Sequence, residues 1–137
     1  MPAPVLVVDN VDDIREQALA ALRTAGHEVI GFRDPIMTLD AIEATSRVRV
    51  VVTRINFGEG KLNGVALARM LKVKRLGINV VFVGSPEHLK YAVELGECLM
   101  GPLDTKALVE AVARLSSQPD HVPDPSRSGR AGQRSPS

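Results

Sequence analysis

Residues 50–60 read VVVTRINFGEG, and the fold turns on this stretch. Three valines and a threonine in succession are β-branched, which suits a strand. A run with no polar alternation fits a sheet covered on both faces. The strand predicted here covers "VRVVVT" (48–53) and runs straight into a loop that opens on Arg54. Beyond the loop, Val65, Leu67, Ala68 and Leu71 fall at helical spacing, so a helix is expected over 64–75.

The same grammar repeats on either side. Upstream, Val5–Val8 form a short β-branched run stopped by Asp9-Asn10. Ile14, Ala18, Ala21, Leu22 and Ala25 then mark one buried helical face, with Asp12 and Asp13 at the favourable N-terminal end and Gly26 closing it. "HEVIGF" (27–32) reads as a strand, and Asp34-Pro35 open a second helix. Downstream, "INVVFVG" (78–84) and "CLMG" (98–101) read as strands, with a short helix between them over 86–95. A last helix is expected over 104–115, on the spacing of Leu108, Val112 and Leu115. Five strands alternating with five helices predict an α/β class, (βα)5, doubly wound five-stranded parallel sheet with right-handed crossovers. From Gln118 onward Pro, Ser, Gly and Arg dominate, so residues 1–117 are expected to form the domain and 118–137 a disordered tail.

Composition bounds the function. A formal charge of +1 leaves no footprint for nucleic acid or for an anionic membrane, and 3% aromatic residues leave little with which to stack bases. The single cysteine, Cys98, excludes an intrachain disulfide and a multi-cysteine zinc site, which fits a reducing cytoplasm. No apolar run reaches membrane-spanning length, and the N-terminus "MPAPVLVVDN" has no basic leader. His27, His88 and His121 show no ligand spacing, and Gly58-Glu59-Gly60 before Lys61 lacks the spacing of a phosphate loop.

In an open parallel sheet, ligand chemistry gathers at the carboxyl ends of the strands. There the chain places Asp9-Asn10, Arg54, Gly84-Ser85 and Gly101-Pro102. "VLVVDNVDDIRE" (5–16) resembles the opening of a response-regulator receiver domain, the flavodoxin-like phosphoacceptor module of two-component signalling. "VVVTRINFGEGKLNGVALARML" (50–71) resembles that family's third strand, active-site loop and third helix. "VVFVGSPEH" (80–88) and "CLMGPLD" (98–104) take the places of its fourth and fifth strand ends, so the likeness runs over 4–116.

The resemblance implies a magnesium-dependent phosphotransfer site, and this sequence departs from it residue by residue. The acidic pair that holds the metal falls on Asp9 and Asn10, and Asp13 matches a further acidic position. The phosphoacceptor aspartate falls on Arg54, which has no nucleophilic oxygen. The Ser/Thr position falls on Gly84 with Ser85 one residue on, and the Lys position falls on Gly101, although Pro102 is kept. The switch aromatic falls on Cys98. Thr53, the nearest hydroxyl, belongs to the opposite face of the strand. With carboxylates lost and a cation gained, the expectation is no catalytic residue, no cofactor, weak or absent magnesium binding, and an ion pair from Arg54 to Asp9 or Asp13 in the metal's place.

Plainer readings stand beside these. Asp9 caps the strand end or the next helix; Arg54 is a solvated loop residue; Gly84 and Gly101 are simple turns; Cys98 is a small core residue. For function, the leading reading is a phosphorylation-independent pseudo-receiver, not an enzyme, that acts in the cytoplasm on a protein partner in trans: a histidine kinase, a phosphotransferase or another regulator. Homodimerisation stays open. The alternatives are a receiver phosphorylated at a non-standard acceptor, a small-ligand site in the strand-end crevice, and a regulator with little function left.

Overall fold

A computed structural model describes residues 3–117, apart from 46, 76 and 86–89. In chain order the elements are β1 (Val5–Val8), α1 (Asp12–Thr24), β2 (Val29–Phe32), α2 (Pro35–Ala44), β3 (Val50–Arg54), α3 (Gly64–Lys74), β4 (Asn79–Gly84), β5 (Glu97–Met100) and α4 (Thr105–Ser116). The five strands form one sheet in the order β2-β1-β3-β4-β5, with every pair parallel. The expected doubly wound, flavodoxin-like α/β fold is the observed one.

Strand periodicity divides the core into two layers. Val5, Val7, Val50, Val52 and Val81 pack with Ala18, Leu19 and Leu22 of α1 and with Leu108, Ala111 and Val112 of α4. Leu6, Val8 and Val51 point the other way, onto Ile42 of α2 and onto Leu67 and Leu71 of α3. Valine runs buried on both faces are what the unalternating sequence asks for.

Local signals set the helix ends. Asp34 accepts a hydrogen bond from the Ile36 amide at 2.8 Å, with Pro35 at the first helical position. Asn63 caps α3 through the Ala66 amide at 2.8 Å, and Asp104 caps α4 through Lys106 and Ala107 at 3.0 and 3.2 Å. At the end of α1, Gly26 (φ 98°) donates to Arg23 O and His27 donates to Leu22 O, the paired bonds of a Schellman turn.

Three expectations change. β3 extends to Arg54, so this residue ends the strand rather than opening the loop, paired in register with Val83 of β4. β5 ends at Met100, which leaves Gly101 outside the sheet at φ 80°. Of the helix expected over 86–95, the first four residues lie outside the described part, and residues 90–95 form turns, with the Leu95 and Gly96 amides both donating to Ala92 O at 2.8 and 3.2 Å. Residues 118–137, expected to be a disordered tail, and the positions of His88 and His121 also lie outside the described residues.

Candidate functional site

The order β2-β1-β3-β4-β5 reverses direction between β1 and β3, and a crevice opens beyond the carboxyl ends of strands at such a point. Asp9 follows β1 by one residue and Arg54 ends β3. Both share strand parity with the valines that face α1 and α4, so their side chains meet on that side of the sheet. Thr53 has the opposite parity; it is fully buried and its hydroxyl donates to Arg54 O at 2.8 Å.

Asp9 is the fixed point of the site. Its amide continues the sheet by donating to Phe32 O at 3.0 Å. Its Oδ1 accepts from the Val11 amide at 2.8 Å and from Arg54 Nε at 2.9 Å. The two side chains are 7% and 28% exposed, so the pair is shielded enough for a charge-assisted bond to count. Asp9 therefore closes the turn after β1 and also holds Arg54, so the strand-end and ion-pair readings hold together, while α1 itself has no side-chain cap. Arg54 is no solvated loop residue: Nη1 also reaches Asn56 O at 3.4 Å. Asp13, the other candidate partner, is exposed on α1 and pairs with nothing among the described residues.

One participant escaped the sequence reading. Arg15, with 13% of its side chain exposed, donates from Nη1 to Asp9 O at 3.0 Å and pairs with Asp12 at 2.9 Å. Arg33 adds a longer contact to Asp12 at 3.6 Å. The i,i+3 spacing of Asp12 and Arg15 was a visible signal for that ion pair. Its extension to the Asp9 carbonyl depends on how α1 leaves the strand, which spacing does not report.

Arg54, Gly84, Ser85, Gly101 and Pro102 line one recess of about 290 Å³. The loops after β3, β4 and β5 thus converge as expected, and the Gly101 amide donates to Gly84 O at 3.1 Å across them. A Cβ at Gly84 would stand 3.2 Å from Ile55 Cδ1, so Ile55 fits closely over this glycine. The loop after Arg54 is held as tightly: a Cβ at Gly64 would lie 2.2 Å from Arg54 O, and the Gly64 amide donates to Ile55 O at 2.7 Å. Only glycine permits α3 to begin so close to the end of β3.

Asn10 faces elsewhere. Its Nδ2 donates to Phe57 O at 3.0 Å, Oδ1 is buried with no partner among the described residues, and the residue lines a separate recess of about 310 Å³ with Arg33, Asp34 and Lys61. Cys98 is half-buried and packs beside Phe82, and burial together with the neighbouring Glu97 pushes its thiol pKa above the ordinary value. Among the described residues no three His, Cys, Asp or Glu side chains are grouped to hold a metal, and no helix is long and apolar enough to cross a membrane.

No protein-family model matches this sequence, and no curated protein matches it. Solved structures do. Chemotaxis protein CheY4 from Vibrio cholerae is 21% identical, with a TM-score of 0.73 over 84% of this chain and 99% of its own. The receiver domain of NtrX from Brucella abortus is 26% identical, with a TM-score of 0.74 over 83% and 99%. A response regulator receiver domain protein from Clostridium thermocellum is 22% identical, with a TM-score of 0.74 over 83% and 94%. The structural neighbours of this chain are CheY-like response-regulator receiver domains, and its fold is theirs.

Proposed function

We propose that the chain is a receiver-like protein of two-component signal transduction that takes no phosphoryl group and acts through protein contact. The observation that carries this is Arg54, standing at the end of β3 with its Nε on Asp9 Oδ1 at 2.9 Å. On the receiver fold, that strand end is where the resemblance puts the phosphoacceptor. A guanidinium offers five N–H donors and no oxygen nucleophile, so no acyl phosphate can form there.

Magnesium does not fit these residues. The ion asks for several oxygen ligands in near-octahedral geometry. Here Asp9 Oδ1 already accepts two donors, Asn10 turns its amide nitrogen to Phe57 O, and a fixed cation lies where the metal charge would be. Arg54 neutralises Asp9 in the metal's place. The ordinary hydroxyl and lysine of a receiver are replaced by Gly84 and Gly101, which contribute no side-chain donor. Lacking these parts, the domain has no phosphoryl-driven bias between two conformations, and it presents one surface to its partner. That partner, in the cytoplasm, is a histidine kinase, a phosphotransferase or another regulator.

Incubating the chain with acetyl phosphate and magnesium, then measuring intact mass, tests the reading. The expected mass is unchanged. An acid-labile phosphate adduct would replace this proposal with the alternative of a non-standard acceptor.

A further inference from the structure

The Arg54–Asp9 contact leaves part of the guanidinium unused. Nε is committed to Asp9 and Nη1 reaches Asn56 O only at 3.4 Å, while Nη2 has no acceptor among the described residues. The pair is therefore single-point rather than a two-pronged fork, and the outer Nη edge keeps donors to spare. Arg54 lines the recess together with Gly84 and Gly101, two positions with no side chain to fill it. Ile14, Val83, Pro102 and Leu103 supply an apolar side of the wall, and Asn56 and Ser85 its polar remainder.

From this geometry we infer that the recess is a binding site for a small monocarboxylate with an apolar body. A planar guanidinium edge matches a carboxylate through two parallel hydrogen bonds, and the apolar side of the wall suits the ligand's body. Asp9 already offsets the charge of Arg54, so an incoming anion is held by the spare N–H donors against repulsion from that carboxylate, and a monoanion meets less of it than a dianion such as phosphate. At about 290 Å³ the recess falls at or below the lower limit of roughly 300 Å³ for drug-sized sites, so the occupant is of about benzoate size. This site is independent of whether the domain engages a protein partner: the partner reading concerns the surface, and the ligand reading the donors left over by the lock.

The test is titration of the full 137-residue chain with sodium benzoate and, separately, with inorganic phosphate, followed by amide chemical shifts. Benzoate should saturate, with shifts centred on Arg54, Asn56, Ser85 and Leu103, and phosphate should bind more weakly. Arg54→Met should lower benzoate affinity about tenfold or more, the size expected for losing hydrogen bonds to a charged group. Ser85→Phe, which fills the recess while leaving the guanidinium in place, should abolish saturation and keeps the test valid if the arginine variant folds poorly. The assignment is overturned if benzoate fails to saturate, if phosphate binds as well or better, or if the Ser85→Phe protein binds unchanged. Preferential binding of an aspartate-bearing peptide would also overturn it, by moving the carboxylate onto a protein partner.

Discussion

Two arginines stand at opposite ends of the sheet. At the carboxyl ends of the strands, Arg54 gives Nε to the Asp9 carboxylate. At the other end, Arg75 follows α3 and donates to three backbone carbonyls: Ile42 O at 2.9 Å, Val48 O at 3.0 Å and Thr45 O at 3.1 Å. Lys72, one turn earlier on α3, does the same for Ile78 O at 3.0 Å. The carbonyls at a helix end need donors from outside the helix, and Arg75 supplies them to the last turn of α2 and the segment after it. Its role is complete within the fold. Arg54 instead neutralises a carboxylate that the backbone already holds, and keeps donors over. Guanidinium used for architecture is spent on the backbone; guanidinium used for a site is matched to a charge and left partly open.

The contrast can be broken by mutation. Arg75→Ala should give the largest loss of stability, about 2–4 kcal/mol in urea unfolding, because three carbonyls at the junction of α2, β3 and α3 lose their donor together. A loss under about 1 kcal/mol would mean that water replaces the guanidinium freely. Arg54→Met should cost about 1–3 kcal/mol by leaving Asp9, 5% exposed, without its counter-charge. Asp9→Asn in that background should recover part of the loss; a strictly additive double mutant would show that the two side chains do not sense one another.

Smaller effects sharpen the same comparison. Gly101→Lys, which puts a cation where the resemblance to receiver domains places a lysine, should cost about 1–2 kcal/mol through the left-handed backbone at φ 80°. Gly84→Thr should cost somewhat less, about 1 kcal/mol, with Ile55→Val relieving it, since Ile55 Cδ1 is the atom in the way. If neither glycine resists its side chain, the rim of the recess is not shaped by them.

The slightest effect is in pH. Burial lowers the Lys72 pKa from its ordinary 10.5. The folded chain therefore releases that proton at a lower pH than the unfolded chain, which binds more protons across the window just below 10.5. Lys72 alone thus makes stability rise with pH in that window. The Lys72→Met protein should lack this rise, as read by the difference between the two urea midpoints from pH 8 to about 10.5.

Much of the fold was legible because each layer of the core is written locally. Val5–Val8 and Val50–Val52 declare buried strands, Asp34-Pro35 declares a helix start, and Gly26 declares a helix end. Strand ends were harder: Arg54 is long and charged, and only its pairing opposite Val83 shows that it completes β3. The choice of Asp9 over Asp13 was not legible either. Both acids precede or open α1, and which one faces the sheet depends on the phase in which the helix departs. The Asp12–Arg15 spacing was visible, but its tie to the Asp9 carbonyl was not. Nor was Arg75, whose acceptors lie 27 to 33 residues away in the chain. "PEHLKYAVEL" (86–95) carries helical spacing, yet its described part, residues 90–95, forms turns.

The central claim is that an arginine–aspartate pair stands where the receiver fold would hold magnesium and a phosphoryl group. Following the amides of Asp9, Asn10 and Arg54 through a magnesium titration tests it most directly. The account predicts small, linear shifts with no saturation, because the carboxylate is already neutralised. Saturation of those amides at low-millimolar magnesium would contradict it.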